Sequence, residues 1–338
     1  MNPPYPWQSE AWQKLCHARR ATRLGHALLL TGRPGIGKGA FAREFAQVVL
    51  CEDAGEGLAA CGRCRSCQLF LAGNHPDLRS VLPLEDADSL GIDQVRELGA
   101  FFALKAHYGR AKIALLEPAD RMTRAAANAL LKLLEEPPSL GMFLLVAHQV
   151  DQLPATIRSR CQRVALDRID PSQAQRWLAA QAAGQDAAAV RDALALAHHA
   201  PLAALAALQA GDSQVAVRVA ELMRAVAQGR VHAVQAAQQT AEIPAVRLTD
   251  LMLGIAHRHW LEGHGFEVTP AGPCLNGLAN PLHSRHVGEF AGAALDIKRQ
   301  AQSSANFRQG DLADLLWQAW MQAARPARGG PRRSPAVA

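Results

Sequence analysis

Apolar positions in the first half of the chain follow two alternating rhythms. Apolar segments of five or six residues, unbroken or nearly so at His26–Thr31, Lys112–Glu117 and Met142–Ala147 and interrupted by polar residues at Leu78–Leu82 and Cys161–Leu166, predict short strands. Between them, apolar residues return every three or four positions. Phe41, Phe45, Val48 and Val49 mark a helix over Lys38–Leu50, and Ile92, Val95, Leu98 and Phe102 mark one over Ile92–Lys105. A third helix over Thr123–Glu136 stops at Pro137-Pro138, where a missing N–H and a steric clash end the ladder. Strand, loop and helix in repetition predict parallel strands joined by crossover helices, an α/β sheet covered on both faces.

The rhythm changes near Asp167. From Pro171 the chain is alanine-rich and helical, punctuated by Gly184, Gly211-Asp212, Gly229 and a loop over 269–281, with no strand pattern beyond about 166. The expected division is an α/β domain over 1–166, a small helical domain over 167–211, a larger helical domain over 212–324 and a disordered tail over 325–338. The Ala-Leu runs at 193–209 have no fixed period and read as helix-forming composition rather than repeats.

Composition narrows the class. Of 338 residues, 49% are hydrophobic and 20% charged, which suits packed domains and excludes a mostly disordered chain. No apolar run reaches the roughly 18–20 residues of a membrane span, and the opening MNPPYPWQSE has no basic-plus-apolar signal pattern. A cytoplasmic protein without a membrane partner is expected. The formal charge of +6 hints at an anionic partner, but Arg325, Arg328, Arg332 and Arg333 supply four of the six. The basic balance is mainly a property of the tail.

Gly32-Arg-Pro-Gly-Ile-Gly-Lys38 fits the phosphate-loop pattern G-x-x-x-x-G-K, after a predicted strand and opening a predicted helix. Gly32, Gly35 and Gly37 would turn backbone N–H groups toward phosphates, with Lys38 as point charge. The hydroxyl residue that should follow, a Mg²⁺ ligand, is Gly39. The strand that should carry the second metal ligand and a water-orienting carboxylate ends Glu117-Pro118; Glu117 is a weak substitute for the first and Pro118 none for the second. Two defects in one site predict ATP or ADP holding at most, with little or no hydrolysis.

Cys51, Cys61, Cys64 and Cys67 fall within 17 residues. In a reducing compartment such a cluster reads as metal ligands before disulfides. Four thiolates suit a closed, tetrahedral, structural Zn²⁺ with no open position for catalysis. An iron–sulfur cluster is the alternative, but Gln68, not proline, follows the last cysteine. Arg158 and Arg160 bracket Ser159 at the predicted rim of the sheet.

Taken in order, Leu24–Ala27, the phosphate loop, the four cysteines, Asn74–Asp77, Asp93–Arg96, Ala127–Pro138 and Ser159–Cys161 resemble the delta-prime subunits of the bacterial DNA polymerase III clamp loader, within the AAA+ superfamily. Asn306 and Leu312–Trp320 are similar to that family's final collar helix. The resemblance implies an AAA+ P-loop domain, a helical lid and an all-α collar. It implies a hetero-oligomer with gamma/tau ATPase subunits and delta, acting on the sliding clamp and primed DNA. It also implies that Arg160 serves in trans as an arginine finger while the chain itself lacks ATPase and polymerase activity. Two other readings are an active gamma/tau-type ATPase and a phosphate-loop kinase for a small molecule; the latter needs catalytic arginines in a lid, which the sequence does not mark.

Overall fold

A computed structural model of the chain describes residues 3–54, 59–84, 87–108, 110–266, 284–302 and 309–324. The basic tail, the whole 269–281 loop with Cys274, and Asn306 lie outside them. The chain divides into two compact units, Met1–Trp177 with Ala200–Ala203, and Leu178–His199 with Ala204–Ala338.

The first unit carries five parallel strands: β1 (Ala27–Thr31), β2 (Leu78–Val81), β3 (Lys112–Leu116), β4 (Gly141–Ala147) and β5 (Gln162–Ala165), in the order β2-β3-β4-β1-β5. All five residues of β1 and of β3 are buried, which is why these strands read as unbroken apolar runs. The edge strands β2 and β5 bury one residue each, Val81 and Val164. Their ends fall short of the expected strands by one residue at Leu82, and by one at each of Cys161 and Leu166.

Six helices complete the sheet's surroundings in chain order: α1 (Ser9–Arg20), α2 (Lys38–Leu50), α3 (Arg65–Leu71), α4 (Ile92–Ala103), α5 (Arg124–Glu135) and α6 (Ala155–Arg158). The α2 helix spans its expected residues. Thr123 caps α5, its side-chain oxygen accepting from Ala126 N at 3.2 Å, so the expected first residue is the cap. Alternation along the strands places Ala27 and Leu29 of β1, Ala114 and Leu116 of β3 and Phe143 and Leu145 of β4 on one face. There they meet Val95, Leu98 and Phe102 of α4, Leu130 and Leu134 of α5 and Ile157 of α6. Phe41 and Phe45 of α2 pack edge-on against Trp12 of α1. Each such fully buried side chain contributes roughly 1.5–3 kcal/mol relative to exposure.

Among the described residues no strand follows Ala165. The second unit is helical, and its core includes Val219, Met223, Leu248, Met252, Phe290, Trp317 and Trp320. Both indoles are fully buried and both N–H groups are satisfied: Trp317 Nε1 donates to Thr240 Oγ1 and Trp320 Nε1 to the Met223 carbonyl, each at 2.9 Å. The three-residue spacing of these tryptophans is therefore a packing feature.

Candidate phosphate-loop, metal and arginine sites

The phosphate loop runs from β1 into α2 with positive φ at Gly32 (144°), Gly35 (75°) and Gly37 (82°). Gly37 is the left-handed residue that starts α2, and its lack of Cβ leaves room for the Tyr5 ring, with which a side chain would collide. Trp7 Nε1 and Gln8 Nε2 both donate to the Ile36 carbonyl, at 3.0 and 2.9 Å, and Gln8 Nε2 also to the Gly37 carbonyl at 3.0 Å. Leu202 N donates to the Gly35 carbonyl at 2.9 Å. Loop carbonyls are thus tied to the N-terminal segment and to residue 202.

Lys38 turns inward. Its Nζ donates to the Arg33 carbonyl at 2.8 Å, and only 3% of the residue is exposed. Burial lowers its pKa to about 8, against the upward pull of Asp120 and Glu117. The Glu117 carboxylate lies against Gly39: a Cβ there would stand 2.7 Å from the Glu117 carboxyl carbon. The space a Ser or Thr side chain would use is filled by the acid at the end of β3. Burial raises the Glu117 pKa, partly countered by Arg43 and Lys38. The remaining recess, about 490 Å³, is lined by Tyr5, Lys38, Arg43, Glu117, His148 and Leu202 among others. Burial lowers the His148 pKa, and nearby Lys38 lowers it further. Asp120 holds the recess wall, its two oxygens accepting from His148 N and Gln149 N, both at 2.9 Å.

The four cysteines of the cluster converge: all four Sγ atoms lie within 4.8 Å of one another, with Cys51 and Cys64 Sγ 4.0 Å apart. A tetrahedron with Zn–S arms of about 2.3 Å has S···S edges of about 3.8 Å. Backbone N–H groups point at three sulfurs, Cys61 N at Cys51, Cys64 N at Cys61 and Cys67 N at Cys64, each at 3.3 Å. Donors aimed at sulfur favour thiolate, and Cys61, with backbone N–H groups of Arg63 and Cys64 first among its causes, is pulled down to about 6. Burial pushes Cys51 and Cys67 the other way, so a cation is what would hold all four as thiolates. These residues are positioned for a metal ion and fit structural Zn²⁺.

A buried histidine anchors this module. Ser66 Oγ donates to the Leu50 carbonyl at 2.8 Å, which commits its proton. His75 Nε2, 2.7 Å away, must then donate to Ser66, while His75 Nδ1 accepts from Asp77 N at 3.1 Å. Burial lowers the His75 pKa, in keeping with this neutral tautomer.

At the far end of the sheet Arg158 and Arg160 separate. Arg158 pairs with the fully exposed Asp151 at 3.3 Å. Arg160 Nη2 pairs with Glu135 Oε1 at 2.8 Å and Nη1 donates to the Thr156 carbonyl at 3.0 Å.

The phosphate loop and the cysteine cluster were legible as motifs, and the geometry assembles both. The N-terminal latch (Tyr5, Trp7 and Gln8), the Asp120 brace and the Glu135 partner were not anticipated. Their signal was faint: aromatic residues before the first helix, an acid four residues past β3, and the acids preceding Pro137.

A parallel sheet of this order, with a phosphate loop after β1 and an acid just after β3, followed by a helical unit, defines a P-loop protein of the AAA+ class. Residues 7–170 match the family model described as DNA polymerase III, delta subunit. The chain is 34% identical over 317 residues to DNA polymerase III subunit delta′ of Escherichia coli K12, covering 92% of this chain and 94% of that one. It is 37% identical to the delta′ subunit of Pseudomonas aeruginosa over 246 residues, 73% and 74% of the two chains. A shorter match, 36% over 165 residues, joins 49% of this chain to 23% of the tau/gamma subunit of Haemophilus influenzae. The chain belongs to the DNA polymerase III delta-prime subunit family.

Proposed function

We propose that this chain is the non-hydrolysing, stator-like subunit of a replicative clamp loader. It works in the cytoplasm within a hetero-oligomer with gamma/tau ATPase subunits and delta, and helps place the sliding clamp on primed DNA. Residues 167–211 form its lid and 212–324 the collar through which the subunits associate. Arg160 acts on ATP held by a neighbouring subunit. A guanidinium there neutralises charge as the γ-phosphoryl group leaves, a role worth roughly 10³–10⁵ in rate where arginine fingers have been measured.

One observation carries this reading. The chain's own phosphate loop is occupied by its own side chains, with Lys38 on the Arg33 carbonyl and the Glu117 carboxylate against Gly39. Two negative charges in one recess, phosphate and Glu117, repel each other. No serine or threonine follows Lys38 to hold Mg²⁺. Gly32, Gly35, Gly37 and Lys38 are then a degenerate loop that supports at most nucleotide holding. Structural zinc on Cys51, Cys61, Cys64 and Cys67 stiffens the segment after α2.

The competing reading, an active gamma/tau-type ATPase, draws on the 36% identity to a tau/gamma subunit. Turnover by the purified chain separates the two. The stator reading expects no hydrolysis above background in the wild type; ATPase activity abolished by Lys38→Ala would overturn it. Elemental analysis is expected to find about one zinc per chain, and an iron chromophore with little zinc would reverse the metal assignment.

A further inference from the structure

The last turn of α5 ends in Glu135, where the helix dipole is negative and a carboxylate is locally unfavourable. Helix stability does not account for an acid there. Its partner does: Glu135 Oε1 holds Arg160 Nη2 at 2.8 Å, and the Thr156 carbonyl holds Nη1 at 3.0 Å. We propose that Glu135 is the positioning residue for Arg160, fixing the guanidinium plane before a neighbouring subunit's ATP arrives. This rests on the reading of Arg160 as a residue acting in trans.

Both ends of the brace are anchored in one core. Leu134, adjacent to Glu135, and Ile157, three residues before Arg160, are buried in the same cluster, and Cys161 packs against it. The distance between the carboxylate and the arginine backbone is therefore set by packed side chains rather than by loop conformation. Ser159 Oγ also donates to the Thr156 carbonyl, at 3.0 Å, which tightens the turn that presents Arg160. A guanidinium has five N–H donors, and two are used here, so three remain for phosphate oxygens. Arg160 is about one-third exposed, enough to reach a neighbour without leaving the brace. Arg158, two residues earlier, is held instead by Asp151 on the short turn that precedes α6.

An arginine already fixed in orientation loses less side-chain freedom on engaging the transition state. Removing the brace should therefore cost turnover, about three- to tenfold at the ATP it serves, and leave nucleotide affinity alone. Glu135→Gln keeps the side chain's size and removes the charge. An exposed pair of this kind adds little to stability, so folding and assembly are expected to persist.

The test is ATPase of the reconstituted loader carrying Glu135→Gln, Arg160→Ala or both, with assembly checked by gel filtration. The proposal expects a lower kcat and unchanged KM for ATP in Glu135→Gln, and no further loss when it is added to Arg160→Ala. Normal or faster turnover in Glu135→Gln beside an impaired Arg160→Ala would overturn the positioning role and leave the trans reading standing. A Glu135→Gln loss that persists in the Arg160→Ala background would also overturn it, because the carboxylate would then act through something else. Unchanged turnover in Arg160→Ala would remove the trans reading and this proposal with it.

Discussion

Two cationic side chains at opposite ends of one sheet are held in opposite ways. Lys38 has the sequence position of a phosphate-binding lysine, yet it is buried against the Arg33 carbonyl in a loop held by Trp7 and Gln8. Arg160 has no motif of comparable fame, yet it stands about one-third exposed at the surface, paired with Glu135. A motif describes ancestry and local conformation. Where the charged atom points, and what already occupies its partner's place, decides what it can still do.

The largest expected effect sharpens the Arg160 side. Arg160→Lys keeps the charge but loses the planar fork that contacts Glu135 and phosphate together. Single-turnover ATP hydrolysis in the loader should show most of the arginine's contribution gone, on a scale approaching the roughly 10³–10⁵ of other arginine fingers at the ATP it serves. Near-normal rates in the lysine variant would mean that only bulk charge matters there.

Next in size is Gly39→Ser, which installs the missing metal-ligand side chain on paper. Because the Glu117 carboxylate fills that space, the variant should lose about 1–3 kcal/mol of stability through overpacking and gain no hydrolysis. Adding Glu117→Ala should recover much of the loss, a non-additivity that denaturant unfolding can read. A fully stable Gly39→Ser with new ATPase activity would break the contrast drawn above.

Smaller again is Gln8→Ala, which removes donors to the Ile36 and Gly37 carbonyls and should cost about 0.5–1.5 kcal/mol. Hydrogen exchange should localise the loosening to residues 32–39. Protection unchanged there would mean that the N-terminal latch is incidental.

The subtlest effect is in the pH dependence of stability. Lys38 has a folded pKa of about 8 against an ordinary 10.5. Between those values the unfolded chain holds a proton that the folded chain has released, so stability rises with pH across that window. Lys38→Met should flatten the rise between pH 8 and 10.5, seen as the difference between the two proteins' unfolding curves. Parallel curves would place Lys38 in a less desolvated setting.

Much of the sheet was legible because β1, β3 and β4 are buried on both faces and so show unbroken apolar runs. The edges were less so: β2 and β5 bury one residue each, and their outer positions, such as Arg79 and Arg163, look like loop. Short elements escaped altogether. The seven residues of α3 and four of α6 are too few to show a helical period, and capping and core contacts at Cys64 and Ile157 hold them instead. Glycines and cysteines announced the loop and metal module because few other residues can do their work. Glu135 gave no such sign, since one of two adjacent acids before Pro137 marks no role until its partner, 25 residues on, is brought beside it.

The central claim, that this chain acts on nucleotide it does not itself hold, is tested most directly by one paired measurement. Steady-state ATPase of the loader is compared with Lys38→Met or Arg160→Ala in this subunit alone. The account predicts wild-type turnover with Lys38→Met and a clear loss with Arg160→Ala. A loss with Lys38→Met and none with Arg160→Ala would contradict it.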